Sequence, residues 1–253
     1  MEQKRVLVTV KTYPLPSQSY QEIVCTAGVL EDGSFIRLYP VDFRYMPYWR
    51  WYRKYQWITV EVEKHSDDDR KESYRPKVDS IRTIGEPLDT KDNWQKRRQV
   101  ILAQGAHSME ELWDLQKTDN TSLGIVKPAV VEDLKVESET PTWKPEWEML
   151  FRQQNLFGPE RKPLEKIPFK LSYKFRCDDA RCNGHEMMIA DWELGALYLQ
   201  MRDKHRDPAV AVQKVRQKFL DQMCGPGIDT HFYVGTVKQH RSWIVLGVFW
   251  PKR

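Results

Sequence analysis

The chain reads as an α+β protein: an N-terminal small β-barrel, OB-like, then a C-terminal α+β domain organised around a Cys/His turn. Three observations predict this. Residues 5–88 carry short runs of period-two apolar alternation punctuated by Gly and Pro. From Asp89 onward, capping residues precede segments with an apolar side. Cys177, Cys182 and His185 then fall within nine residues at C-x4-C-x2-H spacing.

Arg5 to Lys11 alternates as a first strand, and Tyr20 to Leu30 as a second. Glu31-Asp32-Gly33 ends the second strand with a hairpin signal, and Ser34 to Tyr39 returns until Pro40 stops it. Tyr55 to Lys64 is the clearest alternating strand of the chain. The charged run His65 to Glu72 reads as a solvated loop, and Val78 to Ile84 as a further short strand. Asp89-Thr90-Lys91-Asp92 can cap a helix with Trp94, Val100, Ile101 and Leu102 on its apolar side. Ser108 with Glu111 three residues on is a capping box for a second helix to Gln116. Thr121 to Glu137 returns to extended structure. Pro141, Pro145, Pro159, Pro163 and Pro168 mark an irregular connector, with room for a short helix at Glu146 to Asn155. The rest reads as a strand, the Cys/His turn, helices over Asp191 to Asp203 and Pro208 to Met223, and a terminal hairpin of Thr230 to Lys238 with Ser242 to Phe249. Pro208 suits a first helical position, where its missing N–H costs nothing. The expected divisions are 1–88 for the barrel, 89–163 for the connector and 164–253 for the last domain.

Composition excludes several classes. Charged residues make up 30% of the chain, and no apolar run approaches the length of a membrane span. Four cysteines are too few for a disulfide framework, and the N-terminus reads as a strand rather than an export signal. Both point to a reducing cytoplasm. A net charge of +4 is too mild to identify phosphate binding by itself.

Two thiols and an imidazole on one tight turn are what a tetrahedral Zn2+ site needs, with Asn183-Gly184 supplying the reversal. Such a structural zinc site would use Cys177, Cys182, His185 and a fourth ligand, expected to be Cys224, with His231 as the substitute. Buried reduced cysteines beside a turn-capping histidine would give the same spacing. A Cys182–His185 nucleophilic pair is also conceivable, without any visible oxyanion element.

Asp178, Asp179, Asp191 and Glu193 add a carboxylate cluster that could hold Mg2+ for phosphodiester cleavage. The last two equally suit a helix start, where the dipole favours acids. Arg44 to Tyr55 packs three arginines, a lysine and six aromatic rings into twelve residues. Guanidinium groups neutralise phosphates and flat rings stack unpaired bases. A loop of rings covering a barrel end, its cations reaching water, would look alike.

Cys25-Thr26-Ala27-Gly28-Val29, followed by Gly33-Ser34-Phe35-Ile36-Arg37-Leu38-Tyr39-Pro40, resembles the opening of the dual-OB-like proteins of bacteria. Their pattern is a C-x-A-G strand, a short turn and a W-I-R-P-type strand. Phe35 stands here at the tryptophan position, and Leu38-Tyr39 separates Arg37 from Pro40. The resemblance covers about the first 85 residues of the chain. It implies an OB-like barrel that binds nucleic acid or nucleotides, with Arg37 as a contact, and a place in defence or mobile-element conflict systems.

The expectation that gathers these readings is a non-catalytic nucleic-acid-binding module, favouring single strands, within a defence or processing complex. Arg37, Arg44, Trp49, Arg50, Trp51 and Arg53 would make the contact. The alternatives are a metal-dependent nuclease using the four carboxylates and an interaction subunit that binds protein through the aromatic loop.

Overall fold

A computed structural model describes residues 1–18, 21–152 and 163–253. In the first part, β1 (Glu2–Lys11), β2 (Leu15–Ser17), β3 (Gln21–Val29) and β4 (Phe35–Val41) lead into two short 3-10 turns, Phe43–Tyr45 and Tyr48–Arg50. β5 (Trp57–Lys64), β6 (Ser73–Pro76) and β7 (Arg82–Ile84) follow, with a 3-10 turn at Val78–Ser80. α1 (Lys91–Ile101) and α2 (Met109–Asp119) come next, then β8 (Leu123–Val126), β9 (Pro128–Ser138) and α3 (Pro145–Arg152). The last part holds β10 (Phe169–Cys177), β11 (His185–Met188), α4 (Trp192–His205), α5 (Pro208–Arg216) with a π-type turn over Gln217–Gln222, β12 (His231–Thr236) and β13 (Trp243–Phe249).

Five strands close a barrel. β1 pairs with β3, β3 with β4, β4 with β6, β6 with β5, and β5 returns to β1. Only the β4–β6 pair is parallel. That order is the Greek-key circuit of a small OB-type barrel. Val6, Val8, Ile36, Leu38, Ile58, Val60 and Val62 fill it, the inward positions of the alternation seen in the sequence. Gly28, in the C-x-A-G strand, permits a close approach of β1. A Cβ there would stand 2.4 Å from Val6 Cγ1 and 2.5 Å from the Leu7 carbonyl oxygen. At the expected hairpin, Gly33 takes a φ of +85° and the Ser34 amide donates to Asp32 Oδ1.

Three expectations change. Pro40 does not end its strand, because the β3–β4 ladder is irregular between Val24 and Thr26, where a missing N–H is tolerated. His65 to Glu72 is a loop, but only Ser66, Asp67, Asp69 and Lys71 of it are solvated. His65, Asp68, Arg70 and Glu72 are buried, and Arg70 donates to Asp68 and to the Thr236 carbonyl on β12. The 78–84 segment is a 3-10 turn before a three-residue strand. Tyr20, Asn155 and Pro159 lie outside the described residues.

The C-terminal part is α+β. It carries two three-stranded sheets, β11-β10-β9 and β13-β12-β8. Ile189 bridges to Val245 between them. Helices α4 and α5 contribute Leu194, Tyr198, Ala211 and Val215 to its core. A separate core of Leu7, Val10, Tyr55, Ile125, Tyr233 and Phe249 joins the two parts. No helix among the described residues is long and apolar enough to cross a membrane.

Candidate functional site

The Cys/His turn assembles as a buried cluster. β10 ends at Cys177 and β11 begins at His185, with Phe175 opposite His185 in the ladder. Gly184, at a φ of +94°, closes the reversal. The capping box at Ser108 and Glu111 starts α2 against this hairpin, and the Ser108 hydroxyl donates to Asp179 Oδ2 at 3.0 Å. The second residue of that helix, Glu110, is carried inward and is only 4% exposed.

Glu110, Cys177, Cys182 and His185 each offer one ligand atom, and these four atoms lie within 4.8 Å of one another. The His185 Nε2 atom is 3.2 Å from Cys182 Sγ and 3.1 Å from Glu110 Oε1. Backbone amides point at both sulfurs, Met109 donating to Cys177 at 3.4 Å and Cys177 to Cys182 at 3.2 Å. Burial pushes the Cys177 thiol up to about 12 and lowers the His185 pKa against the pull of Glu110. The donor set of two sulfurs, an imidazole and a carboxylate can hold a metal ion.

Three of the four expected ligands are thus together, and Glu110 stands beside them instead of Cys224 or His231. The Cys224 thiol donates to the Phe219 carbonyl one turn back in its own helical segment. His231 is held by the Asp229 carbonyl. Glu110 gave no periodic signal in the sequence, since an acid in a first helical turn ordinarily faces water. The four carboxylates of the nuclease alternative do not assemble. Asp179 is tied to Arg181 and Ser108, whereas Asp191 and Glu193 face Lys54 at the joint between the two parts. Among the described residues the Glu110 group is the sole cluster of three or more possible metal ligands.

The aromatic loop forms a second site at the barrel. Tyr48 is 83% exposed, Trp49 63% and Trp51 38%, and the Tyr48 and Trp51 rings lie 5.4 Å apart. Trp51 is fixed from below by Phe43, and its indole N–H donates to the Met46 carbonyl at 3.0 Å. Arg50 lies 4.5 Å from the Trp49 ring centre and Arg82, from β7, 5.6 Å. Arg50 also pairs with Asp79 and Arg53 with Glu86, while Arg44 reaches Glu22 at 2.8 Å. Arg37 does not join them. It is 2% exposed and bonds to Ser73 and Ser122 at the joint. Arg82 was missed by sequence reasoning because it belongs to a different strand and reaches Trp49 only through the fold.

Residues 105–253 match the family described as a domain of unknown function, DUF8757, and residues 2–103 match a second, DUF8758. No curated protein matches the chain. Among solved structures, a murine DNA-binding protein bound with double-stranded DNA is similar at 10% identity and a TM-score of 0.33, covering 100% of this chain and 97% of that one. The tetrameric p202 HIN2 is similar at 8% identity and a TM-score of 0.31, covering 100% and 92%.

Proposed function

The chain belongs to the DUF8757 family, and we propose that it is a non-catalytic nucleic-acid-binding module, serving in a defence or nucleic-acid-processing complex of the cytoplasm. One observation carries the reading. Tyr48, Trp49 and Trp51 are large aromatic side chains left open to solvent side by side, beside the guanidinium groups of Arg50 and Arg82. Exposed rings with adjacent cations suit unpaired bases and their phosphates, so single strands are the favoured partner. Arg44 and Arg53 extend the contact. Arg37 serves it only by fixing β4 to the second part of the molecule.

Fluorescence anisotropy with labelled single- and double-stranded DNA and RNA across a salt series tests this. The expected result is tighter binding of single strands, with affinity falling linearly on a log–log salt plot. Absence of binding to all four at low salt would overturn it.

The pairing of Arg50 with Asp79 and Arg53 with Glu86 favours one second reading, a protein partner packed on the rings. Salt-insensitive association with a protein would support that instead. For the buried cluster we infer a structural zinc ion, the metal best matched to mixed thiolate and imidazole donors. It would tie the β10–β11 hairpin to the core around it. Metal analysis of the purified chain tests that inference, and a protein that folds and remains metal-free in the presence of Zn2+ would sink it.

A further inference from the structure

The Glu110 carboxylate sits where a carboxylate is hard to explain. Both of its oxygens are buried, and neither has a hydrogen-bond partner among the described residues. His185 Nε2 is 3.1 Å from Oε1, but the contact lacks hydrogen-bond geometry. Leaving a carboxylate unpaired in a dry interior costs several kcal/mol or more. A chain that folds with one there has something to neutralise it.

The neighbours identify the kind of cation. No lysine or arginine pairs with Glu110 among the described residues, so only an imidazolium at His185 could offer it a side-chain ion pair. Nε2 also faces the Cys182 sulfur at 3.2 Å. One ring nitrogen offers a single proton or a single lone pair, so it cannot satisfy a thiolate and a carboxylate separately. A single ion placed between them satisfies all three at once. Donors held about 2.0–2.3 Å from a tetrahedral ion lie roughly 3.3–3.8 Å from one another. The two Nε2 contacts, at 3.1 and 3.2 Å, fall just short of that range, and all four ligand atoms lie within 4.8 Å of one another, so the wider pairs draw in on binding. The amides of Met109 and Cys177 donating to the two sulfurs are the outer contacts that favour thiolates over thiols.

We propose that Glu110 is the fourth ligand of a closed zinc site of two cysteines, one histidine and one glutamate, joining the N-terminus of α2 to the β10–β11 hairpin. This rests on the zinc inference above and adds the residue that completes the site. Cys177 and Cys182 supply two negative charges, Glu110 a third and neutral His185 none. The N-terminal end of α2, with its positive dipole, lies beside the net negative charge left on the bound site. Neither Cys224 nor His231 is needed.

Cobalt spectroscopy on the whole chain tests the assignment. Wild-type protein should bind one Co2+, with tetrahedral d–d bands and a charge-transfer band of two thiolates. Cys224→Ser should leave both unchanged. Glu110→Gln should keep the charge-transfer band but lose at least about tenfold in affinity, as even outer-shell changes do at such sites. Glu110→Cys should raise the charge-transfer intensity in the proportion of three thiolates to two. A Glu110→Gln protein with wild-type affinity and d–d bands would overturn the role of Glu110 while leaving the zinc inference standing. Wild-type protein that binds no Co2+ or Zn2+ would overturn both.

Discussion

Arg37 reaches across the molecule to Ser122, donating to its hydroxyl at 2.7 Å and to its carbonyl at 2.9 Å. The two residues are 85 positions apart. Ser122 in turn donates its amide and hydroxyl to Glu72, so an arginine, a serine and a glutamate from three segments lock β4 to β8. A cation that the sequence places at a binding surface is instead part of the joint between the two parts.

Replacing Arg37 should therefore damage stability rather than binding. Arg37→Ala leaves the Ser122 acceptors unpaired in a dry interior, at a cost of about 1–3 kcal/mol for each. Urea denaturation should show this. Nucleic-acid affinity measured well below the melting temperature should stay near wild type.

The buried Asp68–Arg70 pair should make the fold acid-sensitive. Burial opposes ionisation of Asp68, but its bonds to Arg70 outweigh that and hold its carboxyl well below the usual range. A depressed folded-state pKa contributes stability that is present at neutral pH and lost as pH falls below the ordinary carboxylate range. Asp68→Asn should lose about 3 kcal/mol at pH 7 and progressively less as pH drops below 4, most of the decline coming below pH 3, which melting curves across that range would read.

At the aromatic loop, binding and stability should separate. Trp49→Ala and Trp51→Ala should each cost about 1–3 kcal/mol of single-strand affinity. Trp49, with most of its surface exposed, should leave the melting temperature unchanged. Trp51 packs on Phe43 and should lower it slightly. Anisotropy paired with thermal melts checks both, and unchanged affinity in the double variant would exclude the rings from the contact.

Metal removal should unfold or loosen the C-terminal part first. With free Zn2+ at about a thousand times its Kd, the bound ion contributes about 4 kcal/mol, on the order of 10 °C in melting temperature for a chain of this size. A strong chelator, or Cys182→Ser, should remove that increment. Because burial holds the Cys177 thiol near 12, binding must displace its proton. Apparent Zn2+ affinity should thus fall as pH is lowered, which competition titrations at several pH values would show.

Much local structure was already written along the chain. The alternating strand expected over Tyr55 to Lys64, which begins two residues later at Trp57, the Asp32-Gly33 turn, the Ser108 capping box, Pro208 at a helix start and the C-x4-C-x2-H turn each depend on neighbours a few residues away, and each forms on or close to its pattern. The exposed rings of 48–51 were legible for the same reason, since a short loop dense in aromatics cannot bury them all.

The destination of the charges was decided only by the tertiary structure. Arg37, Asp68, Arg70 and Glu110 all look like surface residues in their own segments, and all four are buried. Their partners or neighbours arrive from β8, β12 and the β10–β11 hairpin, set by the barrel's circuit and by how it packs on the second part. Periodicity says which side of an element a residue takes. Which polar group meets it there is a property of topology, because burying a charge becomes affordable only once a distant partner has been brought within hydrogen-bond reach.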